Sequence, residues 1–291
     1  MKIVISDSFS PKLPEMLKEF GEVSIDKNDI EIADILIVRS GTKVNKDLID
    51  KAKRLKLVIR GGVGLDNIDV EYCKQKNIHV ENTPEASSIA VAELTFALML
   101  GAIRNIVKAH TSMKNGQWMK GLKGSELYGK TLGIIGLGRI GTEVAKRAKA
   151  FGMKVITYTK STNKKSELAE FVSLDKLLRE SDIISLHVPL TDETKNMINK
   201  ETINKMKDGV ILVNTARGGL VNENDLVDAL KKGKIKYACL DVYQNEPPIN
   251  SPIISLENVL LTPHLGAQTD ENMERIEKRI YEIIKDFVST K

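Results

Sequence analysis

Short apolar runs alternate with amphipathic segments from one end of this chain to the other, and that alternation leaves few folds open. "KIVIS" (2–6), "DILIVRS" (34–40), "LKLVIRG" (55–61) and "IHVENT" (78–83) form one series of strand candidates. "TLGIIG" (131–136), "KVITY" (154–158), "DIISLHV" (182–188), "GVILVNT" (209–215), "YACLDV" (237–242) and "VLLTPH" (259–264) form a second. Strands apolar at nearly every position, with helical patterns between them, belong to parallel sheets covered on both faces. One such pattern, "ENDLVDALKKG", stops at Gly233, where a glycine ends a helix. The chain is therefore α/β. A length of 291 residues predicts about two domains.

The stretch 87–116, "SSIAVAELTFALMLGAIRNIVKAHTSMKNG", is the longest helical pattern of the first half. Ser87 or Ser88 is placed to cap it, and it reads as a helix crossing between the two strand series. The last helix, about 269–287, has no place in a completed second sheet and is expected to return to the first domain. The expected division is 1–93 completed by 271–291, and 94–270.

Charge and composition narrow the partners. With 42% hydrophobic and 29% charged residues the chain reads as an ordinary globular protein. No run approaches the ~20 apolar residues of a membrane helix, and "MKIVISDSFS" lacks the apolar region of a signal peptide. A cytoplasmic location and no membrane partner are expected. The net charge of +5 is spread over mixed-sign segments rather than one basic stripe, so nucleic acid is not expected. A mild positive field would instead draw in small anions. Cys73 and Cys239 have neither metal-like spacing nor a histidine cluster, and read as reduced, small apolar residues with no metal.

"TLGIIGLGRIG" (131–141) carries Gly136, Gly138 and Gly141 as G-x-G-x-x-G between a strand and the helical segment beginning at Arg139 and Ile140. In a dinucleotide-binding turn the first glycine permits the bend, the second lets backbone approach a pyrophosphate, and the third lets helix and strand pack closely. The helix start then offers its N–H groups to the anion. The acidic residue expected about 20 positions on, which would receive the adenosine ribose, is missing. Thr159 stands there, followed by Lys160 and Ser161, a cation and a donor for a 2′-phosphate. NAD or NADP is the implied cofactor, and Thr159-Lys160 favours NADP.

Three polar residues follow the ends of successive strand candidates: Arg217 in "NTARGG", Glu246 in "NEPP" and His264 in "PHLGAQT". Ligands of open parallel sheets sit outside the carboxyl ends of the strands, so the three can converge. Taken singly, each has a plain structural reading: an arginine on a turn carbonyl, an exposed loop acid, a core histidine. In the first series "RGGVGLDN" offers Gly61, Gly62, Val63 and Gly64, whose consecutive N–H groups suit an anion. Arg60, Arg39 and Lys43 are candidate phosphate contacts.

Together the runs "VRSGTKV", "IRGGVGLDNID", "NTPEASSIAVAELTFALML", "GKTLGIIGLGRIG", "HVPLTDETKNMI", "VNTARGGLVNENDLVDAL", "CLDVYQNEPP" and "TPHLGAQT" resemble the D-isomer-specific 2-hydroxyacid dehydrogenases over essentially the whole chain. They are most similar to the branch that oxidises D-3-phosphoglycerate to 3-phosphohydroxypyruvate in serine biosynthesis. The resemblance implies a flavodoxin-like and a dinucleotide-binding domain, both Rossmann-like with parallel sheets, and an active site in the cleft between them. It implies that Arg217 holds the substrate carboxylate and carbonyl, that His264 is the acid/base, and that Glu246 partners it. Asp241 would receive the nicotinamide carboxamide, with Thr83, His187, Pro189, Thr215 and Gly266 around the cofactor. Gly62, Val63 and Gly64 would bind the substrate through backbone, and a homodimer would form through the cofactor domain, where Trp118 lies in a contact segment or a core.

The residue types suit such chemistry. Hydride leaves a carbinol carbon only as its hydroxyl proton is removed, so a base must reach that oxygen. Histidine serves both directions near neutral pH, a carboxylate neighbour favours the imidazolium, and arginine forks onto a carboxylate. The chain ends at 291 without the regulatory tail of longer relatives, so feedback through such a tail is not expected. A glyoxylate or hydroxypyruvate reductase on the same scaffold is the alternative, and a dinucleotide-sensing binding protein a more distant one.

Overall fold

The structure, a computed structural model, describes residues 1–160 and 166–289. The chain divides into two compact units, Met1–Ser88 with Ala267–Lys291, and Ile89–Gly266. The division falls inside the first turn of the helix Ser88–Ile103 and just before the last helix, a few residues ahead of the boundaries expected at 93 and 270.

The first unit holds β1 (Lys2–Ile5), β2 (Glu22–Ser24), β3 (Ile35–Val38), β4 (Leu57–Arg60) and β5 (His79–Asn82), all parallel, in the order β2-β1-β3-β4-β5. This is the flavodoxin-like order, in which ligands bind beyond the strands' carboxyl ends where the order reverses. Strand β3, "ILIV", is buried at every residue, as a central strand covered on both faces must be. The last helix, Asp270–Ser289, belongs to this unit. Its Ile276, Ile280, Ile283 and Ile284 are spaced as one apolar stripe and join a core with Ile3, Ile5, Ile35, Ile37, Leu57 and Ile59. On the same helix the buried Glu277 accepts bonds from the Ser10 amide at 2.7 Å and the Ser10 hydroxyl at 2.8 Å.

The second unit holds β6 (Thr131–Ile135), β7 (Lys154–Tyr158), β8 (Glu170–Phe171), β9 (Ile183–Leu186), β10 (Val210–Asn214), β11 (Ile235–Leu240) and β12 (Val259–Leu261). The order is β12-β11-β10-β9-β6-β7-β8, again parallel. The direction of winding reverses between β6 and β9, so the crevice for a ligand opens beyond their carboxyl ends.

The helical pattern at 87–116 is two helices rather than one. Ser88–Ile103 and Ile106–Lys114 meet at 64°, because Asn105 is left-handed at φ 53°. Asparagine tolerates that conformation, and its side chain is fixed at both ends. Asn105 Nδ2 donates to the Lys123 carbonyl at 3.0 Å, and Tyr237 Oη donates to Asn105 Oδ1 at 2.6 Å. The hydroxyls of Ser87 and Ser88 are buried without a hydrogen-bond partner, so neither caps the helix as expected. The first of the two helices is a core helix: Ala92, Phe96, Met99 and Ala102 pack with Leu132, Ile134 and Val213. No single helix among the described residues is long and apolar enough to cross a membrane. Strands β2 and β8, three and two residues at outer edges, are too short and too polar to have been read from periodicity.

Candidate active site

Strand β6 runs into the glycine turn. Gly136 is left-handed at φ 101°, its amide donates to the Tyr158 carbonyl at 2.9 Å, and a Cβ there would lie 2.6 Å from the His187 oxygen. A Cβ on Gly141 would collide with the Gly136 oxygen. The protein itself therefore requires both glycines. Gly138 differs: a Cβ there would meet no protein atom within 4 Å. It opens the helix Arg139–Ala150 with no side-chain cap, so no N-cap side-chain oxygen covers the helix start. Bare backbone at a helix N-terminus is what a pyrophosphate needs, and the turn fits a dinucleotide.

Around the turn, Thr159 is half-buried just beyond β7 and Lys160 is exposed. Lys160 is not a free cation: its Nζ donates to both Glu193 oxygens, at 2.7 and 2.6 Å. Ser161 lies outside the described residues. Pro189 is exposed, its carbonyl accepting from Thr194 Oγ1 at 2.7 Å, and the buried Thr215 hydroxyl lies 3.0 Å from that of Thr95. His187 follows β9. Its Nε2 lies 2.8 Å from the buried Ser185 hydroxyl, while Nδ1 is sealed from solvent without a partner. Burial pushes this imidazole down to about 3, so the ring stays neutral beside the phosphate turn.

Arg217, Glu246 and His264 lie beyond β10, β11 and β12, three neighbours in the sheet. His264 Nδ1 is 2.8 Å from Glu246 Oε2, and the other Glu246 oxygen accepts from the Tyr243 amide at 3.1 Å. The Tyr243 hydroxyl donates to the Thr262 carbonyl at 2.9 Å, and burial pushes that phenol up to about 12. Tyr243 thus ties the acid's loop to the histidine's strand, a part no motif had assigned it. Gly218 packs so close to the Tyr243 backbone that no Cβ fits, which holds the arginine segment against the same loop. Asn214 Nδ2 donates to the Arg217 carbonyl at 2.8 Å, and Arg217 Nη1 to the Ala216 carbonyl at 2.7 Å. The plain reading of Arg217, a guanidinium on a turn carbonyl, is therefore partly true.

Beneath these residues sits Asp241, 1% exposed. Its Oδ1 accepts from Thr262 Oγ1 at 2.6 Å and from the Leu265 amide at 2.7 Å; its Oδ2 accepts from the Gly266 amide at 2.8 Å. The His264 amide donates to the Asp241 carbonyl at 3.0 Å. The carboxylate clamps the histidine's loop, which the sequence did not reveal.

In the first unit, Arg60 ends β4 and its Nη1 fills the space a Cβ on Gly62 would occupy; Gly62 stands at φ 151°. The Gly61 and Gly62 amides donate to the Val38 and Arg60 carbonyls, at 2.8 and 2.9 Å. The expected four-amide nest is thus reduced to Val63 and Gly64. Arg39 follows β3, where Val38 is in register with Arg60. It is half-buried 6.0 Å from the Phe9 ring, and its desolvation lowers its proton affinity although Asp7 opposes this. Lys43 is exposed, and the buried Thr83 hydroxyl has no partner. Among the described residues no cluster of three or more His, Cys, Asp or Glu could hold a metal ion.

Residues 96–266 match the D-isomer specific 2-hydroxyacid dehydrogenase family at its NAD binding domain. The chain belongs to this family. It is 49% identical to D-3-phosphoglycerate dehydrogenase of Methanocaldococcus jannaschii over 98% of its length, spanning 57% of that relative. It is 48% identical to hydroxypyruvate reductase of Thermotoga maritima, with 94% of each chain covered. Among solved structures, D-lactate dehydrogenase of Aquifex aeolicus complexed with NAD and lactic acid superposes with a TM-score of 0.90 at 36% identity, covering 100% of this chain and 96% of that one. The chain thus spans little more than half of the first relative and nearly all of the other two. The family's cofactor turn is the one built here from Gly136 to Gly141.

The sealed His187 of this dehydrogenase-family unit makes stability depend on pH. Between 6.5 and about 3 the unfolded chain binds a proton that the folded ring refuses, so stability is lost as pH falls through that window. His187→Gln is expected to flatten the loss, read as urea midpoints across the window. An unchanged slope would show that another group carries it.

Proposed function

We propose that this chain is an NAD(P)-dependent D-2-hydroxyacid dehydrogenase that oxidises D-3-phosphoglycerate to 3-phosphohydroxypyruvate, the oxidation that leads toward serine. The observation that carries the reaction type is the 2.8 Å contact between His264 Nδ1 and Glu246 Oε2. With Nδ1 engaged, Nε2 is the ring nitrogen left to take the substrate's hydroxyl proton. The carboxylate fixes the donor tautomer and stabilises the imidazolium once the proton has moved. Arg217 binds the substrate carboxylate and polarises the forming carbonyl. A bound nicotinamide would supply the acceptor for the hydride of C2. Gly136, Gly138, Arg139, Ile140 and Gly141 would hold its pyrophosphate, Thr159 and Lys160 its adenosine ribose, and His187, Pro189, Thr83, Thr215, Asp241 and Gly266 the rest. The pairing of Lys160 with Glu193 removes the main support for an NADP preference, and none is proposed.

The phosphorylated substrate rests on Arg60. Its guanidinium folds onto the loop whose Val63 and Gly64 amides remain open, one strand away from Arg39. The relative named D-3-phosphoglycerate dehydrogenase supports this reading. A second reading, hydroxypyruvate reduction, has its own support, since the relative of nearly equal length is named hydroxypyruvate reductase. We also infer a homodimer through the cofactor unit. Ile106, Val107, Met113, Trp118 and Tyr128, from one stretch of chain, are each more than half exposed, and exposed apolar side chains are what such an interface would cover. The buried free thiols Cys73 and Cys239 fit a reducing compartment, and the cytoplasm is the location we assign.

His264→Ala is expected to lower kcat by about 10²–10⁴-fold, the usual contribution of a positioned acid/base, with NADH still bound; full turnover would remove the role. Arg60→Ala should raise KM for 3-phosphohydroxypyruvate by at least about tenfold, as loss of a charge-assisted bond implies, and barely change hydroxypyruvate. Equal effects on both would favour the reductase reading. Sedimentation should show a dimer that Trp118→Glu with Ile106→Glu converts to monomer. A monomeric wild type would refute the assembly.

A further inference from the structure

Strand β6 lies between β7 and β9, and the glycine turn leaves its end with Gly136 bonded to Tyr158 on one side and packed on His187 and Val188 on the other. Lys160, two residues past Tyr158, and Glu193, five past Val188, reach toward each other from those two sides and pair at 2.6 Å. Their ion pair joins the segments that leave β7 and β9 on the two sides of the glycine turn. The side chains are 78% and 68% exposed, and an exposed pair contributes little to folding. Glu193 is nevertheless held in place. Its turn is fastened by Thr194 Oγ1 to the Pro189 carbonyl at 2.7 Å, Thr191 N to Thr194 Oγ1 at 2.8 Å, and Lys195 N to the Thr191 carbonyl at 2.8 Å.

We propose that Glu193 sets the dinucleotide preference of this chain: it supplies, from the loop after β9, the carboxylate that Thr159 withholds at the end of β7. Lys160 alone would be a counter-ion for a 2′-phosphate. Paired, it brings a negative charge to the same place, and a dianionic phosphate must displace Glu193 and then lie beside it. NAD carries only hydroxyls there and meets no such repulsion. The chain therefore binds NAD in preference to NADP, although the usual acid is missing. This inference rests on the dehydrogenase reading above and deepens it.

The test is binding rather than turnover: dissociation constants of NADH and NADPH, from nicotinamide fluorescence, for wild type, E193Q, and E193Q with K160A. Wild type should bind NADH more tightly. E193Q should tighten NADPH about tenfold, the scale of one unscreened charge contact near a surface, and leave NADH within about twofold. Adding K160A should abolish the gain. A wild type that favours NADPH, a ratio unmoved in E193Q, or a gain that survives K160A overturns the role of Glu193 while leaving the dehydrogenase reading intact. Failure of wild type to bind either dinucleotide overturns both.

Discussion

A single buried carboxylate holds the geometry around His264 in place. His264 stands at φ 55°, a left-handed conformation that costs an L-residue roughly 1–2 kcal/mol. Something must over-determine it. Asp241 does so with three donors from Thr262, Leu265 and Gly266, bonds to a charged acceptor that each contribute about 1.5–3 kcal/mol net. The clamp also explains Gly266: a Cβ there would lie 3.1 Å from Asp241 Oδ2, crowding the oxygen that its own amide must reach. The histidine is positioned through its backbone, from below, and its ring remains free to face a ligand.

The sheet supplies the rest. Neighbouring parallel strands end at one edge, so short excursions beyond β10, β11 and β12 bring residues distant in sequence side by side. Tyr243 turns proximity into rigidity: its hydroxyl is tied to the histidine's strand, its amide to Glu246, and its carbonyl leaves no room for a side chain on Gly218. Rigidity of this kind is what the proposed acid/base pair would need, since small misplacements of a reacting group are costly.

Much of this was legible in the chain itself. Central strands such as β3 and β10 are buried at every residue because both faces are covered, and the glycine turn announces itself by spacing. The order Arg217, Glu246, His264 followed from three strand ends. What escaped prediction depends on contacts between segments far apart in sequence. The acceptor role of Asp241 toward Leu265, the sealing of His187 and the pairing of Lys160 with Glu193 are set by which loops the sheet order places together, and no local pattern encodes that. The break at Asn105 escaped for the same reason, since Tyr237 and Lys123 anchor it from elsewhere. The edge strands β2 and β8 escaped for a different one, having too few residues to show a period.

Two histidines of the second unit, His187 and His264, show how one residue type is given opposite surroundings. His187 keeps one nitrogen on Ser185 and the other sealed, and desolvation denies it a proton at ordinary pH. A cation there would stand beside the phosphate turn permanently, strengthening binding of any dinucleotide, reduced or oxidised, without distinguishing them. His264 keeps 44% of its side chain exposed and faces a carboxylate. The sheet thus seals one imidazole nitrogen and leaves the other ring at the surface beside a carboxylate, and the difference rests on where β9 and β12 stop.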